Sequence, residues 1–266
     1  MTDFFKYYTE INKEVVFQNF DRGHSIALII LLVCMLIGFK IIKSLKKETA
    51  NKVLKFLAIL VPIVELTHTY WLYTCGETSI VKLLPFHICS ISMITIPLAI
   101  FTNNVYIKEY VFAYSVIGGI FGVTLPSGVS GSYPIIHFQT IQTIIFHGLI
   151  VFVPLAMIVA GVFKPNIKNL RVVHIVYFIV AVCVGLFDYV FGENYMFLMY
   201  PPEVGIVEWV YSNFGLGIYI VIHFITCFVG SYVAYIPGII AKKVNNRKFE
   251  KKIEKKIDNK DERIEG

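Results

Sequence analysis

Apolar residues in this chain gather into long runs separated by short polar breaks or breaks marked by glycine and proline. Runs of about 18 or more apolar residues are long enough to cross a bilayer as helices. The pattern predicts seven transmembrane helices at about residues 25–43, 53–74, 83–101, 109–125, 140–163, 171–191 and 214–240. The breaks are a basic linker at 44–52, a turn through Gly76, the pair Asn103-Asn104, a Gly/Ser/Pro loop at 126–134, and Lys164-Pro165-Asn166. The last is a 22-residue connection over 192–213 that contains Tyr200-Pro201-Pro202, long enough to carry function. Residues 1–24 alternate aromatic and polar positions, which predicts an amphipathic lead lying in the membrane interface as a short helix. In the fourth helix, Gly118, Gly119 and Gly122 would let neighbouring helices approach closely.

Composition strengthens this reading. Hydrophobic residues make up 56% of the chain and charged residues 16%, with mean hydropathy +0.69. Soluble domains carry about 25% charged residues. The fold class is therefore all-α, a polytopic membrane protein. Three parts are expected: the lead at 1–24, a seven-helix membrane domain at 25–240 and a charged cytoplasmic tail at 241–266.

The net charge of +6 does not call for a nucleic-acid partner, because its placement is a topology signal. Of 24 basic residues, 20 flank the connections 1–2, 3–4 and 5–6 or lie in the tail, leaving only Lys6, Lys13, Arg22 and Lys82 for the other side. By the positive-inside rule the N-terminus is outside and the C-terminus inside, and the cell membrane is the expected location. The five cysteines are widely spaced with no C-x-x-C, so no disulfide framework, zinc knuckle or other cofactor site is expected.

Polar residues inside the runs carry the candidate chemistry. With about 1.5 Å of rise per residue, Asp188 and His87 lie roughly 5 to 6 Å in from the outer helix ends. His68 and His147 lie about 9 to 11 Å in, and Glu65 and His223 about 13 Å. Ionisable groups in the membrane need partners, so groups at one depth on different helices are expected to meet in one cavity opening outward. Gln139, Gln142, Tyr70 and Asn194 would also line it. Glu65 and His68 share a helical face, where the carboxylate would orient the imidazole as a general base requires. On an ideal helix His87 shares a face with Ser90, whereas Cys89 lies about 160° around.

The blocks L-P-F-H-I-C-S-I-S-M (84–93), Y-P-I-I-H-F-Q-T-I-Q-T-I-I-F-H-G (133–148) and N-Y-M-F-L-M-Y-P-P (194–202) resemble the YwaF-type bacterial integral membrane proteins. More distantly they resemble a vertebrate multi-pass family of cysteine-dependent acyltransferases that act on ether phospholipids. That family carries an Asn-Pro-Cys-His block whose histidine falls on His87. A second block matches His147 with Val153-Pro154, and an Asn-x-Met element matches Asn194 and Met196. The family's nucleophilic cysteine falls on Phe86, and Cys89 stands one turn later.

These readings together give an enzyme acting on lipid acyl groups, an acyltransferase or lipase-like hydrolase, with membrane lipid as the substrate. His87 or His147 is the expected base, and Cys89, Ser90 or a water the nucleophile. Glu65, His68, Gln142, Asp188, Asn194 and His223 are the expected binding residues. Two alternatives stay open: a metal-dependent intramembrane hydrolase using three of His68, His87, His147 and His223 with Asp188 or Glu65, and a transporter or receptor binding its ligand in the same cavity.

Overall fold

Capping side chains begin three of the helices, Asp21 before Arg22–Ser44, Asn104 before Val105–Tyr110 and His137 before Phe138–Val159, and proline delays another. The computed structural model describes residues 3–77, 79–202 and 204–236, and among them there are helices and turns but no strands. The helices are α1 (Arg22–Ser44), α2 (Lys47–Thr74), α3 (Ile88–Phe101), α4 (Val105–Tyr110), α5 (Val116–Thr124), α6 (Phe138–Val159), α7 (Leu170–Phe191) and α8 (Gly205–Val233). A π-helical segment, Val111–Ser115, joins α4 to α5. Of these, α1, α2, α6, α7 and α8 are long and apolar enough to cross a membrane.

Three helix starts differ from expectation by five residues or more; α2 begins at Lys47 rather than 53, so most of the expected basic linker is helical. The third was expected from residue 83, but α3 starts five residues later. Pro85 disfavours helix in the residue before it, and Leu84 accordingly sits in extended backbone (φ −73°, ψ 143°) after a short 3₁₀ turn at Ile80–Leu83. His87 then serves as the N-cap residue, also extended (φ −66°, ψ 150°). At 14 residues α3 spans only about 21 Å, short of the roughly 30 Å hydrocarbon core. The last helix was expected from residue 214 but begins at Gly205, so the long connection is shorter than its composition implied. Gly215 breaks α8 internally (φ 74°, ψ 177°), a conformation open to glycine and close to where the apolar run begins. The expected tail at 241–266 lies outside the described residues.

The centre of the molecule is α6, with 56% of its apolar window buried against 6% for α1. It packs on α1, α2 and α5. Small residues make these approaches possible, as membrane helices require. Gly38 of α1 receives the Phe152 ring, Gly148 of α6 receives Leu31, and Gly119 of α5 lies against His147 O, Ile150 and Val151. Of the three glycines expected to allow close approach in the fourth helix, Gly119 and Gly122 form the α5–α6 contact, whereas Gly118 faces Ile88 and Cys89 of α3. Outward, α1 shows Ile29, Ile30, Leu36 and Ile37, the apolar surface that faces lipid.

The N-terminal lead is not a helix lying free in the interface. It forms two 3₁₀ turns and folds down on the ends of α2 and α6. Trp71 Nε1 donates to Phe5 O at 2.9 Å, Phe138 N to Phe4 O at 3.0 Å, and Phe17 N to Tyr133 O at 3.0 Å. Ile11 and Phe17 bury themselves with Trp71, Val129 and Tyr133. The aromatic positions thus found a protein core, because loop 126–134 offers an apolar surface beside Trp71.

Candidate functional site

Three buried histidines stand on the elements that meet around α6, with His147 central to them. His68 comes from α2, His87 from the N-cap of α3 and His147 from α6. His147 is within electrostatic reach of both His68 and His87.

Each ring is oriented by a different contact. His147 Nδ1–H donates to the Thr143 carbonyl at 2.8 Å, one turn back on α6. This leaves the Nε2 lone pair as its free site. Its ring presses on Gly122, where even a β-carbon would come within 2.0 Å of His147 Cδ2. His87 is set the opposite way, because its Nδ1 accepts the Met196 N–H at 3.3 Å and the proton of the neutral ring is left on Nε2. His68 lies parallel to Trp71, with ring centroids 6.1 Å apart, and has the Gln139 amide beside it. The Gln139 Oε1 atom is buried without a hydrogen-bond partner.

The expected Glu65–His68 pair does not form a hydrogen bond. Glu65 Oε1 instead accepts Ser90 Oγ–H at 2.8 Å, and Oε2 accepts Gln142 Nε2–H at 3.2 Å. Sharing a face was correct, but neighbouring helices offered the carboxylate two better donors. Ser90 and Gln142 tie α3 and α6 to α2. Cys89 makes no hydrogen bond to a histidine; it packs against the hydrophobic core, with the Gly118 face behind its backbone. His87 lies outside α3, so the ideal-helix angle between it and Cys89 does not apply.

The remaining predicted residues separate from this cluster. Asn194 organises the following turn: its Oδ1 accepts Met199 N–H at 2.8 Å and Tyr200 N–H at 3.1 Å. That turn holds Met196 and Phe197 at φ 54° and 57°, left-handed conformations costing roughly 1–2 kcal/mol per residue. Tyr219 Oη–H donates to Phe197 O at 2.6 Å and Tyr195 Oη–H to Val81 O at 2.6 Å, fixing it further. Asp188 is fully buried near Tyr195, with neither carboxylate oxygen in a hydrogen bond. His223 stands on α8 with its Nε2 3.7 Å from Cys227 Sγ, and Tyr70 is exposed. One cavity was expected from depth alone. Rotation about each helix axis, which depth does not specify, divides its lining among three places. Among the described residues no three His, Cys, Asp or Glu side chains converge to hold a metal ion, so the predicted histidine triad is not formed.

Three buried residues escaped the sequence reading. Glu109, at the start of the π-containing helix, is fully buried and accepts from Asn166 N at 2.6 Å, Asn169 Nδ2 at 3.1 Å and the Tyr235 hydroxyl. His24 and His137 are both buried with both ring nitrogens bonded. His24 joins Phe20 N to Val123 O, and His137 joins Gln139 N to Lys6 O. Their proximity to helix starts was the available signal.

Between α1, α5 and α6 lies a narrow groove of about 140 Å³, lined by Leu28, Leu31, Met35, Ile120 and Val123 with His147 among them. Its walls are otherwise hydrocarbon, which suits an apolar chain.

No curated protein and no solved structure matches the chain. A family model described as the TMEM164 family matches residues 19–236, a stretch holding every α-helix among the described residues, His68, His87, His147 and the strained turn. The chain belongs to the TMEM164 family and is a multi-pass integral membrane protein.

Proposed function

We propose that this protein is an enzyme acting on lipid acyl esters, an acyltransferase or lipase-like hydrolase, in a seven-helix membrane domain with the N-terminus outside the cell membrane. The observation carrying this reading is the opposed setting of two neighbouring imidazoles. His147 presents a free Nε2 lone pair beside the apolar groove, and His87 presents an Nε2–H. In this reading the acyl chain lies in the groove and His87 donates to the acyl carbonyl oxygen. His147 takes the proton of an attacking water or acceptor alcohol. The new O–C bond forms, the ester C–O bond breaks, and His147 passes the proton to the departing alcohol. Cys89 is not needed, since no histidine bonds to its thiol, and Glu65, Ser90 and Gln142 position α3.

Lipid profiles of cells expressing the wild type, His87→Ala, His147→Ala and Cys89→Ser test this. The expected result is an acyl-lipid change in wild type and Cys89→Ser that disappears in both histidine variants. Identical profiles in all four would reject the enzyme. Purified protein that binds lipid equally well in all four, without turnover, would instead favour a transporter or receptor.

A further inference from the structure

The apolar groove beside His147 has a polar counterpart. A second opening, of about 200 Å³, lies where α1 begins and α5 ends. Gln18 and Asn19 of the lead line it, with Leu125, Ser127 and Ser130 after α5 and Val204 before α8. The same two helices wall both openings. Asn19 leads into α1, whose Leu28 and Leu31 line the groove, and Leu125 follows the groove residue Val123 by two positions. His24 Nε2 bonds to Val123 O at 2.8 Å, pinning the start of α1 to the end of α5. Beyond this bond α1 packs on α6 rather than on α5, which leaves the groove open sideways to lipid. The polar opening is preformed, because Gly131 N–H donates to Phe17 O at 2.8 Å and Phe17 N–H to Tyr133 O at 3.0 Å.

Among the described residues no charged side chain lines this polar opening. Its main-chain donors are largely taken: Ser127 N–H goes to Leu125 O, Ser130 N–H to Pro126 O and Gln18 N–H to Asp21 Oδ2. An anionic headgroup needs a cation or a nest of free backbone N–H groups, and neither is offered. What remain are side-chain amides and hydroxyls, which donate and accept alike. A ligand hydroxyl does the same. Whole-ligand sites span roughly 300–1,000 Å³, so each opening holds only part of a molecule. We propose that the two openings together bind one neutral glycolipid, a diacylglycerol carrying a sugar. One acyl chain lies in the groove, and the sugar hydroxyls meet Gln18, Asn19, Ser127 and Ser130. Diacylglycerol alone, with a single hydroxyl, would leave most of these groups unmatched. His147 presses on Gly122, next to Val123, so the ester joining chain to glycerol falls beside its ring. The inference names the lipid for the acyl chemistry proposed above, and it rests on the groove being the acyl site of that reading.

The test is lipid binding to the purified full chain in detergent, read by native mass spectrometry. Glucosyl diacylglycerol, phosphatidylglycerol and diacylglycerol with identical chains compete for the protein. Wild type should prefer the glucosyl lipid about tenfold, the worth of roughly two neutral hydrogen bonds. The double variant Gln18→Ala/Asn19→Ala should lose that preference while holding phosphatidylglycerol as wild type does. Leu28→Trp, which fills the groove, should weaken all three lipids. Equal retention of the three by wild type, a preference for phosphatidylglycerol, or unchanged selectivity in the folded double variant would overturn the assignment. Free methyl glucoside binding as tightly as the lipid would overturn the part given to the groove. Turnover separates this inference from the enzyme reading. Selective binding of the glucosyl lipid without turnover would reject the acyl chemistry and keep the site. Turnover of phosphatidylglycerol as fast as of the glucosyl lipid would keep the enzyme and overturn the headgroup.

Discussion

The Met196 backbone N–H donates to His87 Nδ1 at 3.3 Å, so a left-handed residue in the turn after α7 sets the proton position on the histidine that caps α3. Two segments 109 residues apart in sequence thus share one hydrogen bond. The turn is strained by itself and is held by what surrounds it: Asn194, His87 and Tyr219 all bond to its backbone. Such strain persists only where the surroundings over-determine the conformation, and it concentrates at functional sites.

Replacing His87 with alanine should act on both partners. The Met196 N–H loses its acceptor in a buried place, costing about 1–3 kcal/mol. Acyl-lipid turnover should disappear as well. Thermal unfolding of the purified protein together with lipid profiling checks both effects. A variant with unchanged melting would show that the turn stands without His87.

Gly122→Ala should disturb His147 far more than Gly118→Ala disturbs its neighbours. The new β-carbon at 122 meets the imidazole at 2.0 Å, whereas at 118 the nearest atom is Ile88 Cγ2 at 3.4 Å. Overpacking of this kind costs about 1–3 kcal/mol when the structure yields. Gly122→Ala should therefore lower the melting temperature and turnover together, and Gly118→Ala should leave turnover near wild type. Parallel melting and lipid assays of the two variants decide it.

Ser90→Ala and Cys89→Ser should separate stability from chemistry at adjacent positions. The serine variant leaves Glu65 buried with Gln142 as its one side-chain donor and should cost about 1–3 kcal/mol. The cysteine variant removes no hydrogen bond to a histidine and should keep turnover. Turnover lost in Cys89→Ser with unchanged melting would return the thiol to the mechanism.

The cap of α1 should titrate. Asp21 accepts His24 N–H at 2.7 Å and Gln18 N–H at 2.9 Å, and these bonds hold its carboxyl below the usual carboxylate range. Its folded-state pKa lies below the unfolded value of about 3.9, so the stabilisation is complete above that pH. It is lost as pH falls through the folded value. Asp21→Asn, which keeps an acceptor oxygen, should remove this pH dependence, and Asp21→Ala should cost about 1 kcal/mol at neutral pH. Melting curves from pH 7 to pH 3 measure both.

The sequence by itself determined that the chain is helical and membrane-embedded, because an unbroken apolar run of bilayer length satisfies its backbone in lipid as a helix. Barrel strands, by contrast, are shorter and alternate apolar with polar residues. It also marked the histidines as needing partners and Gly118, Gly119 and Gly122 as a contact face. Tertiary structure decided which partner each polar group meets. Glu65 turned from His68 to Ser90 and Gln142, His223 went to Cys227 rather than to the other histidines, and Glu109 found Asn166, Asn169 and Tyr235. Sequence spacing gives depth along a helix and phase within it, but partner choice depends on the rotation and crossing of neighbouring helices, which packing sets. Nor does the sequence announce that Met196 and Phe197 are left-handed. Those conformations follow from contacts made across the whole chain.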